Sequence, residues 1–175
     1  MIKIISPEKK DTLGVVQVLY KTWLDTYPNK EFGITREDIE EHFRAGLTNE
    51  GLAERWEKIK NDVGSKTLIA KNGDLVVGVI TIVFHADKNQ LKLIYVLPEY
   101  QGQGIGKQLW EEIKKYFDIS KKCIVQMVTY NTKAINFYKK LGFKDTGKRW
   151  NDEKRKMKSG AMLPEMEMEL TKDLF

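Results

Sequence analysis

Cysteine is almost absent from this chain: Cys123 stands alone among 175 residues. A lone thiol excludes an intramolecular disulfide and any cysteine-rich zinc site, and no metal is expected. Also missing is any apolar run near the ~20 residues that a membrane helix needs. The start, Met1-Ile2-Lys3-Ile4-Ile5-Ser6-Pro7, lacks the apolar core of a secretory signal, so a cytoplasmic protein without a membrane role is expected. There is no repeat, linker or low-complexity stretch. Residues 1–175 are therefore expected to form a single domain, long enough to bury a real core.

What is present is an ordinary globular composition, 41% hydrophobic and 31% charged, with a net charge of +5. That modest excess suits an acidic partner, either nucleic acid or a small polyphosphate, without choosing between them. Much of it falls in residues 144–158, where Lys148, Arg149, Lys154, Arg155, Lys156 and Lys158 cluster. Such a run reads as a solvated loop. No base-stacking aromatic array or helix-turn-helix pattern accompanies it, which argues against nucleic acid.

Periodicity orders the chain. Residues 2–5 read as an edge strand, with Ser6 capping a following helix and Pro7 in its first turn. Leu13, Val16, Tyr20, Trp23 and Tyr27 recur at helical steps, and Pro28 and Gly33 break the pattern. Thr35-Arg36-Glu37-Asp38 has capping-box spacing and opens a helix towards Gly46. Residues 48–62 read as another, with Leu52, Trp56 and Ile59 inward. From Lys66 the period becomes two: residues 67–70 and 75–84 flank Asn72-Gly73, a two-residue hairpin signal. Residues 90–97 are a strand ended by Pro98, and Ile105, Leu109, Ile113 and Phe117 mark a helix facing a sheet. Residues 123–128 are a strand, 131–141 a short helix stopped by Gly142, and residues from 143 and 162–170 a closing hairpin. The order predicts an α/β (α+β) protein with a mostly antiparallel sheet and helices on its faces.

Between a strand and a helix lies Pro98-Glu99-Tyr100-Gln101-Gly102-Gln103-Gly104-Ile105-Gly106-Lys107. Alternate glycines let the backbone approach a ligand, and a helix start offers unpaired N–H groups, together a site for phosphate oxygens. A P-loop needs four residues between Gly and Gly-Lys; Gly102 and Gly106-Lys107 enclose three. A dinucleotide fingerprint needs two between its last glycines, and Gly104 and Gly106 enclose one. Both fail, and a plain tight turn stays open.

Gln101-x-x-Gly104-x-Gly106 behind Ile94-Tyr95-Val96-Leu97-Pro98, followed by Asn131-Thr132-Lys133-Ala134-Ile135-Asn136-Phe137-Tyr138-Lys139-Lys140-Leu141-Gly142-Phe143, resembles the GNAT N-acetyltransferase family over residues 66–143. The first helical region and Ser159-Gly160-Ala161-Met162-Leu163-Pro164-Glu165-Met166-Glu167-Met168 are similar to its PaiA-like polyamine acetyltransferase branch. The resemblance implies a twisted mixed sheet of about seven strands, splayed between strands 4 and 5, with acetyl-CoA in the opening. It implies that the backbone of Ile94, Tyr95 and Val96 pairs with the pantetheine arm. The amides of Gly102, Gln103, Gly104, Ile105, Gly106 and Lys107 would then hold the diphosphate, with Gln101 where Arg is commoner. Asn131 falls at a cofactor-arm position, and Tyr138 at that of a general acid facing the sulfur.

These positions imply direct acetyl transfer to an amine, a spermidine- or spermine-like polyamine by the branch resemblance. Trp23 and Tyr27 are the candidate acceptor-binding aromatics, with Asp25, Asp38, Glu40 and Glu41 nearby; the aromatics read equally as core. Gln90 and Gln126 occupy the positions where relatives often carry a basic Glu, and neither can accept a proton; His42 and His85 read as surface or packing residues. Cys123 reads as a buried inert thiol, not an acyl carrier. A peptide or other small amine, a non-catalytic acyl-CoA sensor, and a homodimer remain open alternatives.

Overall fold

The computed structural model describes residues 1–170, apart from the side chain of Lys154. Strand β1 (Ile2–Ile5) is followed by helices α1 (Thr12–Thr26), α2 (Arg36–Arg44) and α3 (Asn49–Asn61). Then come β2 (Ser65–Asn72), β3 (Leu75–Phe84), β4 (Lys88–Val96), α4 (Ile105–Ile113), β5 (Lys122–Val128), α5 (Thr132–Lys140), β6 (Lys144–Asp152) and β7 (Leu163–Leu170). One seven-stranded sheet runs β1-β2-β3-β4-β5-β7-β6. All neighbours are antiparallel except β4 and β5, so the expected mixed, mostly antiparallel sheet is present.

The helices cover opposite sheet faces, as two consecutive residues of β4 show. Tyr95 meets α1, accepting a hydrogen bond from Trp23 Nε1 at 3.2 Å. Ile94 meets α4: a Cβ placed on Gly106 would lie 4.0 Å from its Cδ1. Successive side chains of a strand point to opposite faces. The core between these layers includes Val16, Ile39, Ile69, Ile80, Leu91, Leu109 and Val125.

Several local expectations are corrected. Ser6 does not cap the first helix; its hydroxyl accepts from Lys66 Nζ instead. A capping box between Glu8 and Asp11 opens a 3-10 turn over Lys9–Asp11 that leads into α1. Asp11 is held there by a buried ion pair to Lys71, Oδ1 to Nζ 2.7 Å. The buried stripe of α1 is Val15, Val16, Val18, Leu19 and Trp23, while Leu13 is 43% exposed; only part of the expected face is core.

The hairpin turn sits one residue later than expected. Asn72 pairs with Leu75, which makes Gly73 and Asp74 the central residues. Gly73 has φ +61° while Asp74 has a negative φ, as a II′ turn requires. Helix α3 buries no residue fully, so Leu52, Trp56 and Ile59 only half-pack. The basic run is not a loop: much of it is β6. Lys148 pairs with Glu167, Arg149 with Asp145, Arg155 with Asp152 and Glu165, and Lys158 with Glu41. Most of its charge is met internally, and Lys154 lies outside the described side chains. No helix among the described residues is long and apolar enough to cross a membrane.

Candidate active site

Strands β4 and β5 pair only from Lys88↔Lys122 to Leu91↔Val125. Beyond that point β4 continues to Val96 against β3, and β5 continues to Val128 against β7. The two strands part, and a cleft of about 730 Å³ opens between them. The parting coincides with a bulge: Thr81 faces Leu93 while Ile82 faces Leu91, leaving Lys92 as the extra residue. A bulge bends its strand and raises its twist, which turns β4 away from β5.

Parting leaves backbone groups without a partner strand. Leu97 N–H donates to Val77 C=O of β3 at 2.9 Å. By alternation Tyr95 also points its backbone at β3, whereas Ile94 and Val96 point theirs into the cleft. Of the backbone trio expected to face a ligand, Tyr95 lines the cleft but turns its backbone to β3. Its hydroxyl is occupied too, sharing a 3.1 Å hydrogen bond with Tyr27 and accepting from Trp23.

The glycine loop forms the cleft's rim. Gly102 and Gly104 have φ +77° and +79°, and a Cβ on either would meet nothing within 4 Å. Gln108 N–H makes the first helical bond of α4, to Gly104 C=O at 3.0 Å. Among the described residues nothing accepts from the amides of residues 102 and 104–107. Gln101 and Gly102 form a turn that aims Gln103 N–H back at the loop; the other N–H groups, at the positive end of a helix, make an anion site. The side chains of Gln101 and Gln103 turn back onto the loop, donating to Val96 C=O at 3.0 Å and Glu99 C=O at 3.2 Å. They brace the loop, and Gln103 does not line the cleft. Ile105 is core, so its amide is what it offers. Lys107, Lys133 and Lys140 line the same side without an ion pair among the described residues.

Asn131 caps α5, its Oδ1 accepting from Ala134 N–H at 3.0 Å, and its Nδ2 is left for the cleft that it lines. Tyr138 also lines the cleft and is 5% exposed. Its hydroxyl bonds to no described residue, and its ring packs edge-on against Phe137 and Phe143. Desolvation, with smaller contributions from Tyr95 and Cys123, pushes this phenol well above its ordinary pKa. Cys123 itself is fully buried, and desolvation pushes its thiol up to about 12, so it is not a nucleophile at neutral pH.

Trp23 is buried between Tyr27 and His42, stacked at ring separations of 4.2 and 4.7 Å. Tyr27 lines the cleft; Trp23 supports it from behind. Burial, then Arg155 and Arg55, lowers the pKa of His42. At the apex Gln90 Nε2 donates to Gln126 Oε1 at 3.2 Å, and Gln126 Nε2 donates to Glu167 Oε2 at 3.3 Å. Glu167 is also bound by Lys148, and His85 Nε2 lies 2.9 Å from Gln90 Oε1. Tyr130, which sequence reasoning missed, lines the cleft and donates to Tyr27 C=O at 2.8 Å; nothing in its local pattern signals that contact 103 residues away.

Residues 64–145 match the family described as an acetyltransferase (GNAT) domain. The spermidine N(1)-acetyltransferase of Thermoplasma acidophilum is 30% identical over 148 residues, 82% of this chain and 87% of that protein. The crystal structure of PaiA N-acetyltransferase from Thermoplasma acidophilum in complex with coenzyme A matches with TM-score 0.73 at 24% identity, over 94% of this chain and 98% of that one. An acetyltransferase of Salmonella typhimurium with its cofactor acetyl-CoA gives TM-score 0.67 at 19% identity, over 99% and 95% of the two chains. Both structures share the fold.

Proposed function

We propose that this chain, which belongs to the GNAT family of acetyl-CoA-dependent N-acetyltransferases, transfers acetyl directly to a primary amine of a polyamine such as spermidine or spermine. The observation that carries the transfer chemistry is the parted β4–β5 pair, with free amides at its rim. The spermidine-acetylating relative supports the acceptor class. On this reading residues 1–175 form one catalytic domain.

The residues fit a diphosphate-bearing thioester. Amides of residues 102 and 104–107, with Lys107, Lys133 and Lys140 beside them, bind the diphosphate. The free backbone edge of Ile94, with Asn131 Nδ2, binds the amide-bearing arm as an added strand would, the C=O of Val96 being taken by Gln101. Val96 N–H, aimed into the cleft, polarises the thioester carbonyl. Holding amine and thioester together removes the entropy of a bimolecular encounter.

Tyr138 stays protonated and donates to the sulfur as charge develops on it. The desolvation that raises the phenol's pKa also raises the proton affinity of a thiolate beside it. Buried Cys123 takes no part, which leaves direct attack as the route. Gln90 and Gln126 hold each other and cannot take a proton; the acceptor ammonium loses its proton to water.

The test is an acceptor panel with acetyl-CoA, following free thiol. Spermidine and spermine are expected to turn over faster than free lysine and peptide amines. Preference for peptide amines overturns the acceptor class. Coenzyme A binding without turnover on any amine overturns catalysis.

A further inference from the structure

Resting on the polyamine reading, we infer that Asp25 is the residue that selects a second positive charge on the acceptor. Acidic side chains near the first two helices differ sharply in what they are free to do. Asp38 accepts from Thr35 and Ser159, and Glu40 pairs with Arg36 at 3.0 Å. Glu41 is held by Arg44 at 2.8 Å, and Glu165 by Arg155. Asp25, in the last turn of α1, has no ion pair or hydrogen bond among the described residues. It is the one carboxylate among the described residues that line the cleft.

The cleft is also electrically two-sided. Lys107 on α4 and Lys133 and Lys140 on α5 belong to one side, whereas Lys92 at the bulge acts on Glu165. Asp25 stands alone on α1, across the sheet from α4. A polyanionic donor is drawn to the lysine side and a cationic acceptor to the other.

Placement decides which end of the acceptor Asp25 serves. The attacking nitrogen must be neutral, and a carboxylate beside it would hold its proton in place. Asp25 is exposed at the rim whereas Tyr138, at the reacting end, is buried. A rim carboxylate therefore binds a nitrogen that keeps its charge throughout, the distal ammonium of a di- or polyamine. The hydroxyl of Thr26, which also lines the cleft and has no partner among the described residues, offers that ammonium a second acceptor.

The experiment compares kcat/KM for 1,4-diaminobutane and 1-aminobutane, which differ in the second charge, using wild type, Asp25→Asn and Asp25→Glu at low ionic strength. Wild type is expected to prefer the diamine. Asp25→Asn reduces that preference on the order of tenfold, through KM, and Asp25→Glu retains it. Coenzyme A affinity by calorimetry reports that the variants are folded. A preference that survives in Asp25→Asn overturns the role of Asp25 while leaving the polyamine reading intact. A wild type that treats the two amines alike, or turns over neither while acetylating peptides, overturns both.

Discussion

At the scale of a single residue, Tyr138 shows how an aromatic at core spacing becomes a reactive group. Its ring packs as a core side chain does, yet its hydroxyl has no partner among the described residues at the cleft that Tyr138 lines. Because burial raises the phenol's pKa, it remains protonated across the working range. The neutral form is the one favoured, so its loss of a proton moves above the ordinary value of about 10. We therefore expect the rate to rise with pH as the acceptor amine deprotonates, with no fall attributable to Tyr138 below about pH 10. Tyr138→Phe is expected to lower kcat by about 10² or more, leaving coenzyme A affinity and the rising limb unchanged. Paired pH–rate profiles of the two proteins check this, and equal kcat values would remove the acid role.

At the scale of an element, the stretch from the β4 bulge to the start of α4 does most of the work. The extra residue Lys92 ends pairing with β5, and the free edge runs from there into the glycine loop. Gly104 is the N-cap of α4 in the left-handed region, at φ +79°. An alanine there meets no atom within 4 Å, so its cost is backbone strain of about 1–2 kcal/mol. The relief of that strain is a shift in φ, which rotates the adjacent amides off their common target. Gly104→Ala should thus weaken coenzyme A binding several-fold by calorimetry, with melting lowered by roughly 2–8 °C. Full affinity in this variant would mean that the row of amides is not the diphosphate site.

At the scale of the whole molecule, the acceptor side is closed by a contact far apart in sequence. Asp38 on α2 accepts from Thr35 N–H, from Ser159 N–H at 2.7 Å and from Ser159 Oγ at 2.8 Å. It ties the connection between β6 and β7 to the second helix. Burial pushes its carboxyl up, but the hydrogen bonds from Thr35 and Ser159 outweigh this and hold the pKa below the ordinary value. A depressed folded pKa contributes stability above the unfolded value of about 3.9 that is lost as pH falls through the folded one. Asp38→Asn should cost about 2 kcal/mol at neutral pH, or roughly 4–8 °C in Tm. The gap between variant and wild type should shrink below about pH 4; thermal melts at pH 7 and pH 3 check both parts.

The chain's own pattern determined the element order, the capping box at Thr35, the glycine-rich turn and the second motif ending at Phe143, because these depend on local spacing and backbone propensity. Tertiary structure decided the rest. The bulge at Lys92 arises from register against β3, the backbone of Tyr95 faces β3 through strand alternation, and Trp23 is placed behind Tyr27 by packing on His42. Among the acidic residues of the first two helices, only folding settles that Asp25 stays unpaired while Asp38 is consumed by Ser159. A pairing partner distant in sequence leaves no local periodicity, and whether a charge is spent or free depends on that partner.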